Sequence, residues 1–350
     1  MALRRCYRRL MNIDSPHPQN LPSIVVVTHL GGSILKRCLE ALHRQTVPPI
    51  KVVVAVSSHK DIAVSPPIGL PVQTIHIGRN VGFAAAANRG LHAVADGDVI
   101  LLNDDTAPTS DFVEQLTRAA AQGPGIYQPR ILLADGTDRI DNTGHRLFFD
   151  GFNMARGRGQ TADQSFPHEV GSFSGAAVLL TREVLSQVGM FDEDLEAFGE
   201  DTDLSFRAHR LGFPIRYIPE AVIHHTLGAS YGRSNPKKVF LVERNRLRAA
   251  ARSLPWVTLV SMPSWTTARF ALLGLAASTG HGPGAGTGFK GVAAAFAGSC
   301  AGLLALPDAI KKRHRDRPKW ASTDRQMLAL FCRQHVRPSD LWSNQQEPES

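Results

Sequence analysis

Cysteine is scarce in this chain. Cys6, Cys38, Cys300 and Cys332 stand far apart with no CxxC pair, which excludes a disulfide framework or a zinc knuckle as the basis of the fold and suits a reducing compartment. A cleavable export signal is not expected either. Arg4, Arg5, Arg8 and Arg9 imitate its positive start, but Asn12, Asp14, His17 and two prolines occupy the place of its apolar core, so the catalytic part is expected not to be exported. The sequence has no interleaving of basic and aromatic residues, so its net charge of +8 builds no RNA-stacking platform, and nucleic acid is not an expected partner. The excess charge sits in the Arg-rich start, in Arg244 to Arg252 and in Lys311 to Arg315. That distribution suits anionic phospholipid headgroups.

What is present is an alternation of strand and helix signals. Ser23 to Thr28 is a buried-strand run, and Ser33 to His43 carries Ile34, Leu35, Cys38, Leu39 and Leu42 at helical spacing. Lys51 to Val56 repeats the strand signal, and the connector Ser65-Pro66-Pro67 leads to a strand over Val72 to Ile77. An Ala-rich helix over Phe83 to Ala95 and a strand over Asp98 to Leu102 follow. This order predicts an α/β fold with a mainly parallel sheet and right-handed crossovers. Ligands on such sheets bind beyond the carboxyl ends of the strands, where Thr28-His29, Gly78 to Gly82 and Asn103 to Asp105 fall.

Two acidic clusters carry the chemistry. Asn103-Asp104-Asp105 ends a strand and precedes Thr106 and Pro108; one or two carboxylates there, completed by substrate phosphates and water, suffice for Mg²⁺ or Mn²⁺. Asn and Asp also favour turns on their own account, so a solvated turn is the plain alternative. Glu200-Asp201-Thr202-Asp203 opens an amphipathic helix whose stripe is Leu204, Ala208 and Leu211 and whose end is Gly212. Acidic residues at a helix start complement its dipole at about 0.3–1 kcal/mol each, yet three in four positions exceed what capping needs. A carboxylate on that rigid end is placed to take a proton from a hydroxyl. Between the clusters, Gly78-Arg79-Asn80-Val81-Gly82-Phe83 is either a plain strand-to-helix turn or a phosphate-approaching loop with Arg79 as a charged fork.

Together these pieces resemble family 2 glycosyltransferases, especially the bacterial rhamnosyltransferase-like branch. They are Asn80-Val81-Gly82-Phe83-Ala84 with Asn88 and Gly90, Leu102 to Thr106, Gly175-Ala176-Ala177, Leu179 to Arg182, Val188 to Glu193, Gly199 to Leu204, and Pro219-Glu220-Ala221 running to His225. They keep the family's order over about residues 21 to 250. The resemblance implies a GT-A fold, an α/β domain that binds a nucleotide-sugar and inverts the anomeric centre. By position it makes Asp105 the metal-binding aspartate and Asp201 the catalytic base. It puts Asn103 and Asp104 near the donor ribose and diphosphate, and makes His225, or its neighbour His224, a further metal or diphosphate contact. Thr28, His29, Asp61, Arg79, Asn80, Gly82 and Asn88 complete the expected donor side, and Gly175 and Glu200 the acceptor side. Two departures stand out. Thr28-His29-Leu30 replaces the family's Thr-Tyr-Asn-like strand end, and Val56 replaces an aspartate linked to nucleobase recognition, with Asp61 retained further on.

The chemistry needs both clusters. Charge builds on the leaving phosphate, where a divalent cation stabilises it, while the attacking hydroxyl loses its proton on the opposite face. A glycosidase also uses two carboxylates, but both flank the scissile bond and one must arrive protonated; a cluster committed to metal favours transfer. A nucleotidyltransferase would carry a phosphate-binding basic residue after strand one, which Leu30-Gly31-Gly32-Ser33 lacks. The remaining alternative is a non-catalytic scaffold with the same fold and an altered donor pocket.

The last hundred residues differ. From Leu254 to Phe289 the only charged side chain is Arg269, Gly291 to Pro307 has none, and Pro255, Pro263 and Gly280 to Gly284 interrupt the apolar run. Neither half is a clean span of about 20 apolar residues, so a peripheral anchor on the cytoplasmic face of the cell membrane is expected rather than a crossing, with Lys311 to Arg315 on anionic lipid. The expected division is a basic extension over 1–20, the GT-A domain over 21–250, a helical membrane-associated region over 251–320 and a tail over 321–350. A lipid-linked or polysaccharide acceptor follows from both the apolar region and the resemblance.

Overall fold

A computed structural model describes residues 21–94, 96–226, 235–279 and 288–336. The basic extension 1–20, the glycine string at 280–284 and the tail beyond 336 therefore lie outside the described residues.

The apolar runs at 23–28, 52–56 and 99–103 form β1 (Ser23–Thr28), β2 (Val52–Val56) and β4 (Val99–Asn103), with β3 (Val72–His76) outside β2. All of these neighbours pair parallel. Strand alternation splits their side chains between two layers. Ile24, Val26, Val52 and Val54 pack against α1 (Gly32–His43) and α3 (Phe112–Ala120), through Leu35, Leu39, Leu42, Phe112 and Leu116. Val25, Val27 and Val53 face the other layer, formed by α2 (Phe83–Ala93), α4 (Arg182–Gln187) and α5 (Glu200–Arg210). The alanines of α2 let it lie close, and a side chain at Gly90 would run into Val25.

The second half departs from the parallel expectation. After β5 (Thr106–Pro108), β6 (Ile126–Leu133), β7 (Ile140–Asn142) and a separate hairpin of β8 (His145–Leu147) and β9 (Asn153–Ala155), the chain returns as β10 (Ala177–Leu180). β10 inserts antiparallel between β4 and β6. β11 (Ile215–His225) runs parallel to β6 and antiparallel to β5, and β7 is antiparallel to β6. The nine-stranded sheet is thus mixed, in the order β3-β2-β1-β4-β10-β6-β11-β5 with β7 beside β6. All four residues of β10 are buried, and a strand apolar on both faces reads the same whichever way it runs.

The region after 235 is built onto this domain. α6 (Pro236–Ser253), α7 (Trp256–Thr279), α8 (Gly288–Leu304), α9 (Leu306–Asp316) and α10 (Asp324–Arg333) follow in sequence. Leu247, Ala250, Leu254, Met262, Met327 and Phe331 share one cluster with Leu147 and Phe206 of the α/β part. The expected tail therefore contains a packed helix, started by a capping box of Thr323 and Gln326. On α8, Gly291, Ala295, Gly298 and Gly302 form the buried stripe, and a Cβ on Gly302 would sit 2.9 Å from the Arg244 carbonyl oxygen. The basic run is also redistributed. Lys312 pairs with Asp192, Asp194 and Asp308, and buried Arg313 donates to the Ala251 and Leu254 carbonyls, so these two cations face the protein rather than lipid. Arg269 is buried against Asp150 and Glu243.

Candidate active site

Two consecutive residues bring the acidic clusters together. At the end of β4 the Asn103 amide donates to the Ala176 carbonyl (2.9 Å), while the amide of Gly175 donates to Asp201 Oδ2 at 3.2 Å. The antiparallel entry of β10 is what places Gly175-Ala176 there, because its first residue, Ala177, pairs with Leu102.

Asp201 stands in the first turn of α5, behind Gly199 at φ 103°. Its Oδ1 accepts from the Thr202 amide at 2.7 Å and the Thr202 hydroxyl at 3.2 Å, so the carboxylate is oriented from both oxygens while Oδ2 keeps lone pairs free. The approach to α5 is held from α6, where buried Asn245 donates to the Leu195, Ala197 and Phe198 carbonyls at 2.7, 3.0 and 2.7 Å. Both Glu196 and Phe198 have φ near +60°, a strained state for such residues that persists only where surroundings impose it. Glu200 is buried and its Oε2 has no hydrogen-bond partner. Burial first, and the Asp201 charge second, push its carboxyl well above the ordinary range. His145, at the start of β8, lies in the same field. Burial lowers its affinity for a proton, with the Asp201 charge opposing, and Asn142 contacts its Nε2 at 2.9 Å.

At the Asp104-Asp105 cluster, the Thr28 hydroxyl donates to Asp104 Oδ2. Burial pushes the Asp104 carboxyl up to about 6, the Thr28 hydrogen bond opposing and the Asp105 charge adding. Asp105 Oδ1 is buried without a hydrogen-bond partner. His225 Nε2 is 3.3 Å from it, at ion-pair distance but outside hydrogen-bond alignment. The choice between the two histidines is made by β11, where His225 lies opposite Thr106 and strand alternation turns His224 to the other face. Burial opposes a charged His225, but Asp105 and Asp141 outweigh it and hold its proton up to about 9, a proton that a cation bound at Nε2 would displace. A buried carboxylate oxygen lacking a donor beside an imidazole nitrogen fits a divalent cation. Among the described residues no group of three or more such side chains surrounds one point, so Asp105 and His225 alone would leave most of a cation's coordination to phosphate oxygens and water.

The expected donor residues line up along the strand ends. His29 Nδ1 donates to the Ser57 carbonyl at 2.6 Å, and the Ser57 hydroxyl accepts from the Val81 amide at 3.1 Å, tying β1, β2 and the 78–82 turn together. Asn80 Oδ1 accepts from the Gly82 amide at 3.0 Å. Gly82 has φ 80°, and a Cβ there would meet the Glu196 carbonyl oxygen at 2.8 Å, so only glycine fits. Arg79, Asn80 and Asp61 are exposed. Val56 is core, buried between β1 and β3, and presents nothing to a ligand. Asn88 sits apart from this set. Its buried amide group donates to the Phe191 carbonyl and Glu193, both at 3.0 Å, and accepts from the Phe191 amide at 3.1 Å, which makes it a staple between α2 and 191–193 instead of a donor contact. Sequence reasoning missed Asn245, His145 and Asp141; each is an ordinary polar residue whose placement depends on distant contacts. A cavity of about 290 Å³ lined by Arg130, Phe166, Tyr217 and Glu220 contains none of the candidate residues.

Comparison with known proteins gives the family and the fold. The family described as Glycosyltransferase like family 2 matches residues 18–251. The N-acetylglucosaminyl-diphospho-decaprenol L-rhamnosyltransferase of Mycobacterium tuberculosis is 28% identical over 245 residues, which covers 60% of this chain and 77% of that protein. Among solved structures, S. aureus TarS 1-349 in complex with UDP-GlcNAc superposes with a TM-score of 0.54 at 13% identity, over 90% of this chain and 92% of that one. GalNAc-T7 with UDP, GalNAc and Mn²⁺ gives 0.51 at 16% identity, over 67% of this chain and 48% of the other, so the match spans about half of that protein. At these identities the structural likeness is one of fold.

Proposed function

The chain belongs to the glycosyltransferase-like family 2, and from that premise we propose that it transfers a sugar from a nucleotide-sugar to a hydroxyl of a lipid-linked or polysaccharide acceptor, with inversion at the anomeric carbon. The observation that carries the reading is the Gly175-Ala176 bridge, which holds the Asn103 strand end and the Asp201 carboxylate on adjacent residues. Rhamnose is the leading sugar, supported by the rhamnosyltransferase likeness.

In this mechanism Asp201 Oδ2 takes the proton of the acceptor hydroxyl as it attacks, a contribution of about 10²–10⁴-fold in rate. Thr202 and the Gly175 amide keep the carboxylate aimed, so little reorganisation accompanies the step. Asp105 and His225 would hold Mg²⁺ or Mn²⁺, whose charge stabilises the leaving diphosphate when bound. The Asp104 carboxyl, fixed by Thr28, borders the donor, with Arg79 and Asn80 at the mouth.

A membrane surface is the proposed setting of the acceptor. Among the described residues no single helix is long and apolar enough to cross a membrane, although α8 and the segment 306–319, bent by 53°, pass that test as a pair. On α8, Phe289, Phe296, Leu303 and Leu304 are exposed opposite the glycine stripe, and on α7 Trp256, Val257 and Val260 are exposed. Exposed Lys290 and Lys311 lie on the same helices and their continuation, which suits shallow insertion into anionic lipid.

The test is thermal stability against a panel of nucleotide-sugars with and without Mn²⁺. Binding at 100-fold over Kd stabilises the native state by about 2.7 kcal/mol. A metal-dependent rise with one donor, kept in Asp201→Asn while transfer falls by about 10²–10⁴-fold, is expected. A folded protein that no donor stabilises would instead be a scaffold.

A further inference from the structure

The reading above uses His225 but leaves unexplained what aims it. His225 Nδ1 donates to Asp141 Oδ2 at 2.8 Å, and the other oxygen of that carboxylate is gripped by Arg158 Nη2 at 2.6 Å. Asp141 is 4% exposed and sits in β7, which pairs with β6, while His225 ends β11 on the opposite side of β6. The side chains meet across the end of that shared strand. No regular pairing requires this contact, and burying a carboxylate there is costly unless it is fully paired. The arrangement does one definite thing: it fixes the imidazole plane with the proton on Nδ1 and leaves Nε2 directed at Asp105 Oδ1, the buried oxygen without a donor.

We infer that Asp141 is a positioning residue for the cation site, acting through His225 and held in turn by Arg158. The inference rests on the proposed Asp105 and His225 site. Carboxylates that hold the distal nitrogen of a liganding histidine fix its tautomer and raise its basicity, and their loss costs about 10–100-fold in metal affinity. Nothing in the local sequence Ile140-Asp141-Asn142 marks this role, because β7 is a three-residue strand far from either acidic cluster.

The experiment is Mn²⁺ binding by the full chain, read from the free-ion electron paramagnetic resonance signal without any turnover. Asp141→Ala should weaken binding by about 10–100-fold, and Asp141→Asn, which keeps the shape and a neutral acceptor for Nδ1, should fall between it and the parent. In a His225→Ala background Asp141→Ala should have no further effect, since its influence passes through the ring. A loss of equal size in that background, or an Asp141→Ala protein that is folded by circular dichroism and binds Mn²⁺ as the parent does, overturns the inference while leaving the cation site standing. If Asp105→Ala also leaves binding intact, the cation site itself fails and the role of Asp141 with it.

Discussion

Replacing Arg269 by methionine removes one cation from a closed set of four buried charges. Arg269 Nε lies 2.9 Å from Asp150 Oδ2, and its two other nitrogens lie 2.5 and 2.8 Å from the Glu243 oxygens. Arg246 completes the set, 3.0 Å from Glu243 and 3.4 Å from Asp150. None of the four side chains is more than 5% exposed, so two guanidinium groups balance two carboxylates out of reach of water. Breaking such a set by removing one member costs about 3–5 kcal/mol, because a charge is left buried without compensation. Arg246 still touches both carboxylates, which puts the expected loss near the lower bound. With a urea slope of about 3 kcal/mol/M for a chain of this size, the midpoint should fall by about 1 M. The pH dependence is a second signature. Burial would raise the Asp150 and Glu243 carboxyls, but the arginines outweigh it and hold both below the ordinary range. Groups with depressed folded values stabilise the protein above the unfolded-state value of about 4 and lose that contribution as pH falls through the folded value. In Arg269→Met one arginine is left for two carboxylates, so burial, the largest influence on each, prevails at one of them, lifts its folded value above the ordinary range and lets it take up a proton above pH 4.5. The deficit against the parent should therefore be largest at neutral pH and narrow toward pH 4. Urea unfolding followed by tryptophan fluorescence at pH 7.5 and 4.5 measures both effects. A deficit under about 1 kcal/mol at pH 7.5, or one that is the same at both pH values, would refute the argument.

Glu200 offers the opposite sign. Its folded carboxyl is raised by burial and by Asp201, so its ionisation penalty is absent below the unfolded-state value of about 4 and grows as pH rises toward the folded value. Glu200→Gln should match the parent in stability at acid pH and exceed it at pH 8, and should retain most of the transfer that Asp201→Asn loses; a Gln variant as inactive as Asp201→Asn would make Glu200 the base. Paired aspartates at Phe296 and Leu304, exposed by 64% and 84%, should leave the melting temperature unchanged and reduce sedimentation with phosphatidylglycerol vesicles at least tenfold, and unchanged sedimentation would remove α8 from the membrane contact.

The early part of the fold was legible because β1, β2 and β4 carry short continuous apolar runs separated by turn residues, and because Leu35, Cys38, Leu39 and Leu42 repeat at helical spacing. Both acidic clusters fell at element ends that the pattern could locate. His225 could not be separated from His224 until the pairing of β11 with Thr106 was known. The reversal of β10 was invisible because its four residues are buried on both faces. Asn88 misled the reading because a motif position identifies a residue and not its partners, and the partners lie about a hundred residues away at Phe191 and Glu193. Contacts distant in sequence also hid Asp141 and Asn245. The C-terminal helices were legible only as apolar, since an apolar segment that buries glycine against another helix has the same composition as one that meets lipid. α8 does the first with Gly298 and Gly302 and exposes Phe289 and Phe296 on its other side.

α5 joins these two halves. Asp201 and Asp203 stand on nearly opposite sides of its first turn, the one bound to Gly175, the other buried and paired with Arg207 at 2.7 Å and with Arg252 of α6 at 3.1 Å. Arg252 reaches on to Asp192 and to Asp316 of α9. The family match ends at residue 251, one position before this arginine. A chain cut there loses Arg252 from Asp203, Arg269 from Glu243 and the glycine face of α8 from α6. Each of the first two losses leaves a buried carboxylate short of a partner, at about 3–5 kcal/mol apiece before relaxation, against a whole-domain stability of about 5–15 kcal/mol. Residues 21–251 alone should therefore fail to give a cooperative melting transition, whereas residues 21–336 should melt as the full chain does. A stable 21–251 fragment that still binds a nucleotide-sugar would show that the helices after α6 serve only as an attachment, and that Asp201 is positioned without them.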